Sequence, residues 1–165
     1  MQVETNVEVT KKQFYDFLCN QFIKDIKNIK KVDVTDKDFE RGYSYERFLT
    51  YKKKQLPIQF TIGPCIKDAY FEVSYTTPKA KIKYFYDLRD GKNNTTLVRY
   101  FEESEVEETL GAGVHKFLSS FKKKSVEIKA INNIVQMEQT IKNGIKNFIL
   151  NLLVIRVAVL NIILI

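Results

Sequence analysis

The chain holds one histidine, His115, and two cysteines, Cys19 and Cys65. Any nucleophilic constellation has to be assembled from them. A Ser-His-Asp or Cys-His arrangement needs an imidazole held beside the nucleophile as general base. His115 lies close to Gly113 and Lys116 at the start of a predicted helix, with no partner fixed by spacing. It reads as an exposed helix-start residue. Cys65 follows Gly63-Pro64 in a turn; a neighbouring cation would make its thiol reactive by lowering its pKa, and the simpler reading is an incidental thiol. Asp33, Asp36, Asp38 and Glu40 resemble oxygen ligands. A calcium loop begun at Asp36 requires glycine at its sixth position and glutamate at its twelfth. Arg41 and Arg47 stand there, so calcium is rejected and the carboxylates are assigned to capping a turn. Gly111-Ala112-Gly113 before a helix could cradle a phosphate, but acidic residues precede it and a flexible helix entry explains it equally well. Lys122, Lys123 and Lys124 spread around a helix instead of lining one groove. No catalytic site, metal site or cofactor is expected, and the chain reads as a non-enzyme.

The tyrosines carry the strongest signal. In YFEVSYTTPKAKIKYFYDL, residues 70–88, alternation puts Tyr84 and Tyr86 on one face with Ile82 and Leu88, and Tyr75 on one face with Phe71 and Val73. Tyr45 shares a face with Tyr43 and Leu49. A tyrosine pointing inward needs a partner for its hydroxyl, which a cavity holding water or the polar end of a ligand supplies. The candidate lining is Tyr45, Phe60, Tyr75, Tyr84 and Tyr86. A rim of half-exposed rings on a sheet face is the alternative. A bulge at Gly63-Pro64 would reverse the parity.

These residues must be positioned by a definite set of elements. Val3, Thr5, Val7 and Val9 alternate as a first strand. Thr10 and Gln13 form a capping box, with Val9 and Phe14 as a hydrophobic staple. Phe14, Phe17, Leu18, Phe22, Ile26 and Ile29 then give residues 11–30 one buried helical face. Residues 33–41 read as a turn or short helical connection. Strands follow at Tyr43–Leu49 (with Tyr43, Tyr45, Arg47 and Leu49 on one side), Ile58–Ile62, the two arms of 70–88, and 94–104. Turns are expected at Lys52–Lys54, Gly63-Pro64, Thr77-Pro78 and Asp90-Gly91. Glu102, Glu103, Glu105, Glu107 and Glu108 precede a second long helix, where negative charge suits the N-terminus. Its stripe is Val114, Phe117, Leu118, Phe121, Ile128, Ile131, Ile134, Val135, Met137 and Ile141. Strands this closely spaced make an antiparallel meander, and the fold class is α+β with one sheet around a C-terminal helix.

At 165 residues, with 44% apolar and 28% charged residues, the chain has the length and composition of one globular domain. Its formal charge of +7 is spread over scattered lysines, which describes a solvated surface and no specific nucleic-acid partner. Two cysteines without a framework, and an N-terminus without a secretory pattern, point to a reducing cytoplasm. The segment FILNLLVIRVAVLNIILI, residues 148–165, departs from the rest. Its length is near the lower limit for a bilayer span, and a central arginine costs about 2.5–3.5 kcal/mol on insertion scales. A membrane anchor, an extra packed segment and a terminus foreign to the fold all remain open. The domain is placed at 1–147 and the tail at 148–165.

The element order, with QFTIGPCIKDAYFEVSYTT leading to KIKYFYDLRD and then TTLVRYFEES, resembles a family of small bacterial proteins of unknown function. That family is assigned to the START-like superfamily, whose helix-grip fold is shared with plant pollen allergens and polyketide cyclases. The resemblance covers residues 1–143 and implies a curved antiparallel sheet gripping a long C-terminal helix, with a cavity between them for lipids, hormones or other apolar molecules. The expected function is binding of a small apolar or amphipathic ligand. A structural or membrane-associated interaction protein with a filled core, its tail on lipid, is the alternative; an enzyme on an apolar substrate comes third.

Overall fold

The computed structural model describes residues 1–51, 54–77, 80–106 and 123–144. Strand β1 (Gln2–Val7) leads into helix α1 (Lys11–Lys30), a short helix α2 (Asp36–Glu40), and strands β2 (Tyr43–Tyr51), β3 (Lys54–Ile62), β4 (Tyr70–Thr76), β5 (Ala80–Asp90) and β6 (Thr96–Val106). Helix α3 (Lys123–Lys142) closes the described chain. The strands make one six-stranded antiparallel sheet in the order β1-β6-β5-β4-β3-β2. This is the expected α+β helix-grip arrangement, a curved sheet with a C-terminal helix. His115, Gly111-Ala112-Gly113, Phe121, Lys122 and the tail 148–165 lie outside the described residues.

Helix α1 starts where its sequence says it must. Thr10 adopts an extended backbone, its hydroxyl accepts from the Gln13 amide at 3.2 Å, and the Gln13 side chain accepts from the Thr10 amide at 2.9 Å. Both ends of the staple, Val9 and Phe14, are buried. The inward residues are Phe14, Tyr15, Leu18, Cys19, Phe22 and Ile26. Ile29, expected on that face, is 38% exposed. By Asp25 the helix has already reached β2, the last strand of the sheet, so its final turn runs past the sheet edge. The carboxylates of 33–41 serve structure: Asp38 closes a capping box with Thr35, Asp36 pairs with Lys67 and Asp33 with Lys27.

Strand alternation holds with uniform parity. Ile58, Phe60 and Ile62 of β3, Phe71, Val73 and Tyr75 of β4, and Ile82, Tyr84, Tyr86 and Leu88 of β5 are buried. Phe60 opposes Tyr75 and Ile62 opposes Val73, so no bulge before Gly63 reverses the pattern. Several strand boundaries differ from expectation: β1 ends at Val7 and not Val9, β2 runs on to Tyr51, β3 begins at Lys54, and β6 spans Thr96–Val106 where 94–104 was expected. Lys54 belongs to β3, because the β2–β3 ladder continues to Tyr51↔Lys54. Pro57 lies in that extension, opposite Phe48 of β2. Glu105 lies in β6 opposite Lys81, not in the helix approach.

Helix α3 packs against β1 and α1. Ala130, Ile134, Met137, Glu138 and Thr140 are buried and Ile131 is half-buried, while Ile128 is 50% and Val135 38% exposed. At about 100° per residue, Ile128 and Val135 lie roughly a quarter to a third of a turn from Ile134, off the covered face. The predicted stripe was therefore too broad. Polar contacts lie on the covered face as well: the Glu138 carboxylate accepts the Glu8 backbone N–H at 2.7 Å, and Lys142 reaches Glu138 at 2.9 Å and Glu8 at 2.5 Å.

Candidate ligand site

The concave face is the side of the sheet to which α1 and α3 are applied. Helix α1 crosses it from β5, where Phe14 meets Tyr86 at 6.0 Å between ring centroids, towards β2. On β4 the helices cover Phe71 with rings: Phe22 stacks on it at 5.6 Å, and Tyr15 and Phe39 meet it edge-on at 6.0 and 6.5 Å. That region is a packed aromatic core.

All five predicted lining residues are buried on this face and belong to one continuous run of rings. Tyr45 stacks on Phe60 at 5.4 Å, Phe60 lies 5.9 Å from Tyr75, Tyr75 meets Tyr84 at 6.3 Å, and Tyr84 meets Tyr86 at 6.3 Å. The backbone register enforces the run, pairing Tyr45 with Phe60, Phe60 with Tyr75, and Val73 with Tyr84. Tyr100 of β6 extends it, 6.4 Å from Tyr84 and 5.2 Å from Tyr86, with its hydroxyl donating to Glu102 at 3.1 Å. Sequence reading missed Tyr100, although Thr96, Val98 and Tyr100 alternate in the same way.

The β2 end of the run is polar. The Tyr45 hydroxyl donates to Asp25 Oδ2 at 2.7 Å, and Arg47 Nη1 donates to Asp25 Oδ1 at 3.0 Å. Burial, and then the Asp25 carboxylate, push the Tyr45 phenol well above its usual pKa, so it stays a neutral donor. Asp25 was also missed. Its one available signal is an acid set among Phe22, Ile26 and Ile29 on an otherwise apolar helix face.

The two cysteines are inert. Burial raises the Cys19 thiol to about 12 and the Cys65 thiol to about 11, so neither is a thiolate nucleophile at neutral pH. On the opposite face of the sheet Phe85 stacks on Phe101 at 4.6 Å beneath Lys83 and Arg99. Ion pairs from Lys83 to Glu72 and from Arg99 to Glu4 and Asp87 flank that stack. Among the described residues no group of three or more His, Cys, Asp or Glu side chains could hold a metal ion, and no helix is long and apolar enough to cross a membrane.

A domain of unknown function, DUF3284, matches residues 1–123. The chain belongs to this family. Solved structures similar to this DUF3284 chain include a conserved protein from Geobacillus kaustophilus, with 13% identity and a TM-score of 0.55 over 87% of this chain and 95% of that one. A START superfamily protein from Mycobacterium smegmatis follows with 9% identity and a TM-score of 0.53 over 84% and 97%. Ara h 8.0201 has 10% identity and a TM-score of 0.52 over 87% and 97%. At such identities these likenesses carry the fold, and the fold of this DUF3284 member is START-like. No curated protein matches the chain.

Proposed function

We propose that this DUF3284 protein is a non-catalytic binding domain that holds a small apolar or amphipathic molecule between its sheet and its helices. The observation that carries this reading is the run Tyr45–Phe60–Tyr75–Tyr84–Tyr86, buried on the concave face of a START-like sheet. Ligand sites of this kind are mostly apolar with a few placed polar groups, and this run has that composition. The resemblance to the START-like superfamily supports the same ligand class. The absence of a role for Cys19 and Cys65 as nucleophiles favours binding over catalysis.

The test is saturable binding of an uncharged apolar fluorophore, N-phenyl-1-naphthylamine, to the folded protein. Tyr84→Ala should change its affinity while leaving the circular dichroism spectrum intact. Fluorescence enhancement that appears only as the protein is unfolded would overturn the reading. A filled core is the second reading, and the rings of Tyr15, Phe22 and Phe39 packed on Phe71 favour it for the β4 region. On that reading the interior binds nothing and the protein works through its surface.

A further inference from the structure

We propose that the molecule held on the concave face carries an anionic head, and that Arg47 receives it. This rests on the binding function proposed above and adds the chemistry of the ligand's polar end. Arg47 lies two residues beyond Tyr45 on β2, roughly 7 Å along the strand, and on the same side of the sheet. Its bond to Asp25 of α1 fixes that direction. The apolar run of rings therefore ends next to a guanidinium.

The way Asp25 is bonded leaves that guanidinium incompletely used. A carboxylate commonly takes an arginine through both oxygens, two parallel N–H bonds at once. Here the second oxygen, Oδ2, is taken by the Tyr45 hydroxyl at 2.7 Å, and Arg47 reaches Oδ1 through Nη1 alone at 3.0 Å. A guanidinium has five N–H donors, and among the described residues Asp25 is its one polar partner. The Arg47 side chain is 29% exposed and that of Asp25 14%. The fork is thus partly withdrawn from water, oriented by its neighbours, and, among the described residues, without a further polar partner on its remaining edge. A carboxylate head lying there would take two N–H bonds at once, while its chain follows Tyr45, Phe60 and Tyr75. A cationic head would meet the guanidinium as a like charge. An alcohol would satisfy only one donor. Tyr45 and Asp25 act as positioning residues, holding the guanidinium so that its outer edge faces the head.

The experiment is competition against bound N-phenyl-1-naphthylamine by oleate and by oleyl alcohol, which share a chain and differ in the head. It is run at about pH 8, above the titration range of a carboxylic acid. The unmodified protein should prefer oleate by roughly tenfold or more, as expected for a charge-assisted pair. Arg47→Gln should bring the two ligands to within about twofold of each other, with the larger loss falling on oleate, and Arg47→Lys, which keeps the charge, should retain part of the preference. If the probe binds saturably but the unmodified protein shows no preference for oleate, the anionic head is refuted; if Arg47→Gln keeps the preference, Arg47 is refuted as its receiver; in both cases the binding function stands. If the probe does not bind the folded protein, both fall together. A preference that survives in Arg47→Gln and disappears in Arg156→Gln would assign the anion to the tail.

Discussion

Gly63 is the position where a single methyl group should do the most damage. Its backbone sits at φ +89°, and a Cβ built there falls 2.1 Å from the Phe39 carbonyl oxygen and 3.2 Å from the Gly42 Cα. Ordinary carbon–oxygen contacts lie beyond 3 Å, so the carbonyl would have to retreat by about an ångström. It is not free to do so. The Phe39 oxygen accepts the Cys65 amide at 3.1 Å and the Gly42 amide at 3.2 Å, and the Phe39 ring is locked against Phe71 and Tyr43. A left-handed backbone costs an L-residue roughly 1–2 kcal/mol, and losing or stretching two partly buried hydrogen bonds adds about 1–3 kcal/mol. Gly63→Ala should therefore lose about 2–5 kcal/mol, a large part of the 5–15 kcal/mol typical of a domain. Gly42 provides the control: it also sits at φ +89°, but its Cβ would meet nothing nearer than the Ile62 carbonyl at 3.8 Å. Gly42→Ala should therefore lose only the backbone part. Urea unfolding followed by circular dichroism at 222 nm measures both. Equal losses in the two variants, or a loss below about 1.5 kcal/mol at Gly63, would show that the α2–β2 junction yields and that the clash does not govern.

Three further outcomes follow from named contacts. Glu138→Ala removes the acceptor of the Glu8 amide and the partner of Lys142; about 1–3 kcal/mol should be lost, and an unchanged urea midpoint would show that α3 is held by its apolar residues alone. The hydrogen bond and the charge of Lys142 hold Glu8 below its ordinary pKa of 4.5. Its contribution is thus fully present above that value and lost as pH falls through the lowered one; Glu8→Gln should flatten the acid limb of stability, and an identical limb would contradict the pairing. Cys19 and Cys65, buried with thiols raised to about 12 and 11, should react with a thiol reagent at neutral pH only as fast as the protein opens, with the rate rising through the urea transition. Rapid labelling in native buffer would mean that α1 does not cover them.

Local rules were legible in the sequence and long-range demands were not. The Thr10–Gln13 box, the Val9–Phe14 staple and the two-residue period of β3, β4 and β5 each depend on neighbours a few positions away, and the structure reproduces them. The α3 stripe failed for a different reason. Hydropathy assigned Ile128 and Val135 to the covered face and gave Glu138 no place there, but that carboxylate lies on the covered face and accepts the Glu8 amide at the β1–α1 junction. A backbone donor leaves no mark in a side-chain pattern. The same holds for the Phe39 carbonyl, which gathers Gly42 and Cys65 around itself and explains Gly63 only once α2 and β4 are in place.

A buried tyrosine hydroxyl does not by itself require a wet cavity. The inference required that a dry core offer such a hydroxyl no partner, and for Tyr45 the fold supplies one in Asp25. The helix that carries Asp25 changes character along its length. Phe14, Tyr15 and Phe22 meet Tyr86 and Phe71 with rings, and one turn later the same face presents a carboxylate to β2. The sheet changes in step, from Phe71 and Tyr86 to Tyr45 and then Arg47. A core selected for stability alone would gain little from that gradient, since a partly exposed ion pair such as Arg47–Asp25 contributes little to stability. A surface that must hold a molecule with an apolar chain and a charged end requires the gradient, in this order and on both layers. Tyr45 therefore matters less for its hydroxyl than for its position, at the point where the rings stop and the charges begin.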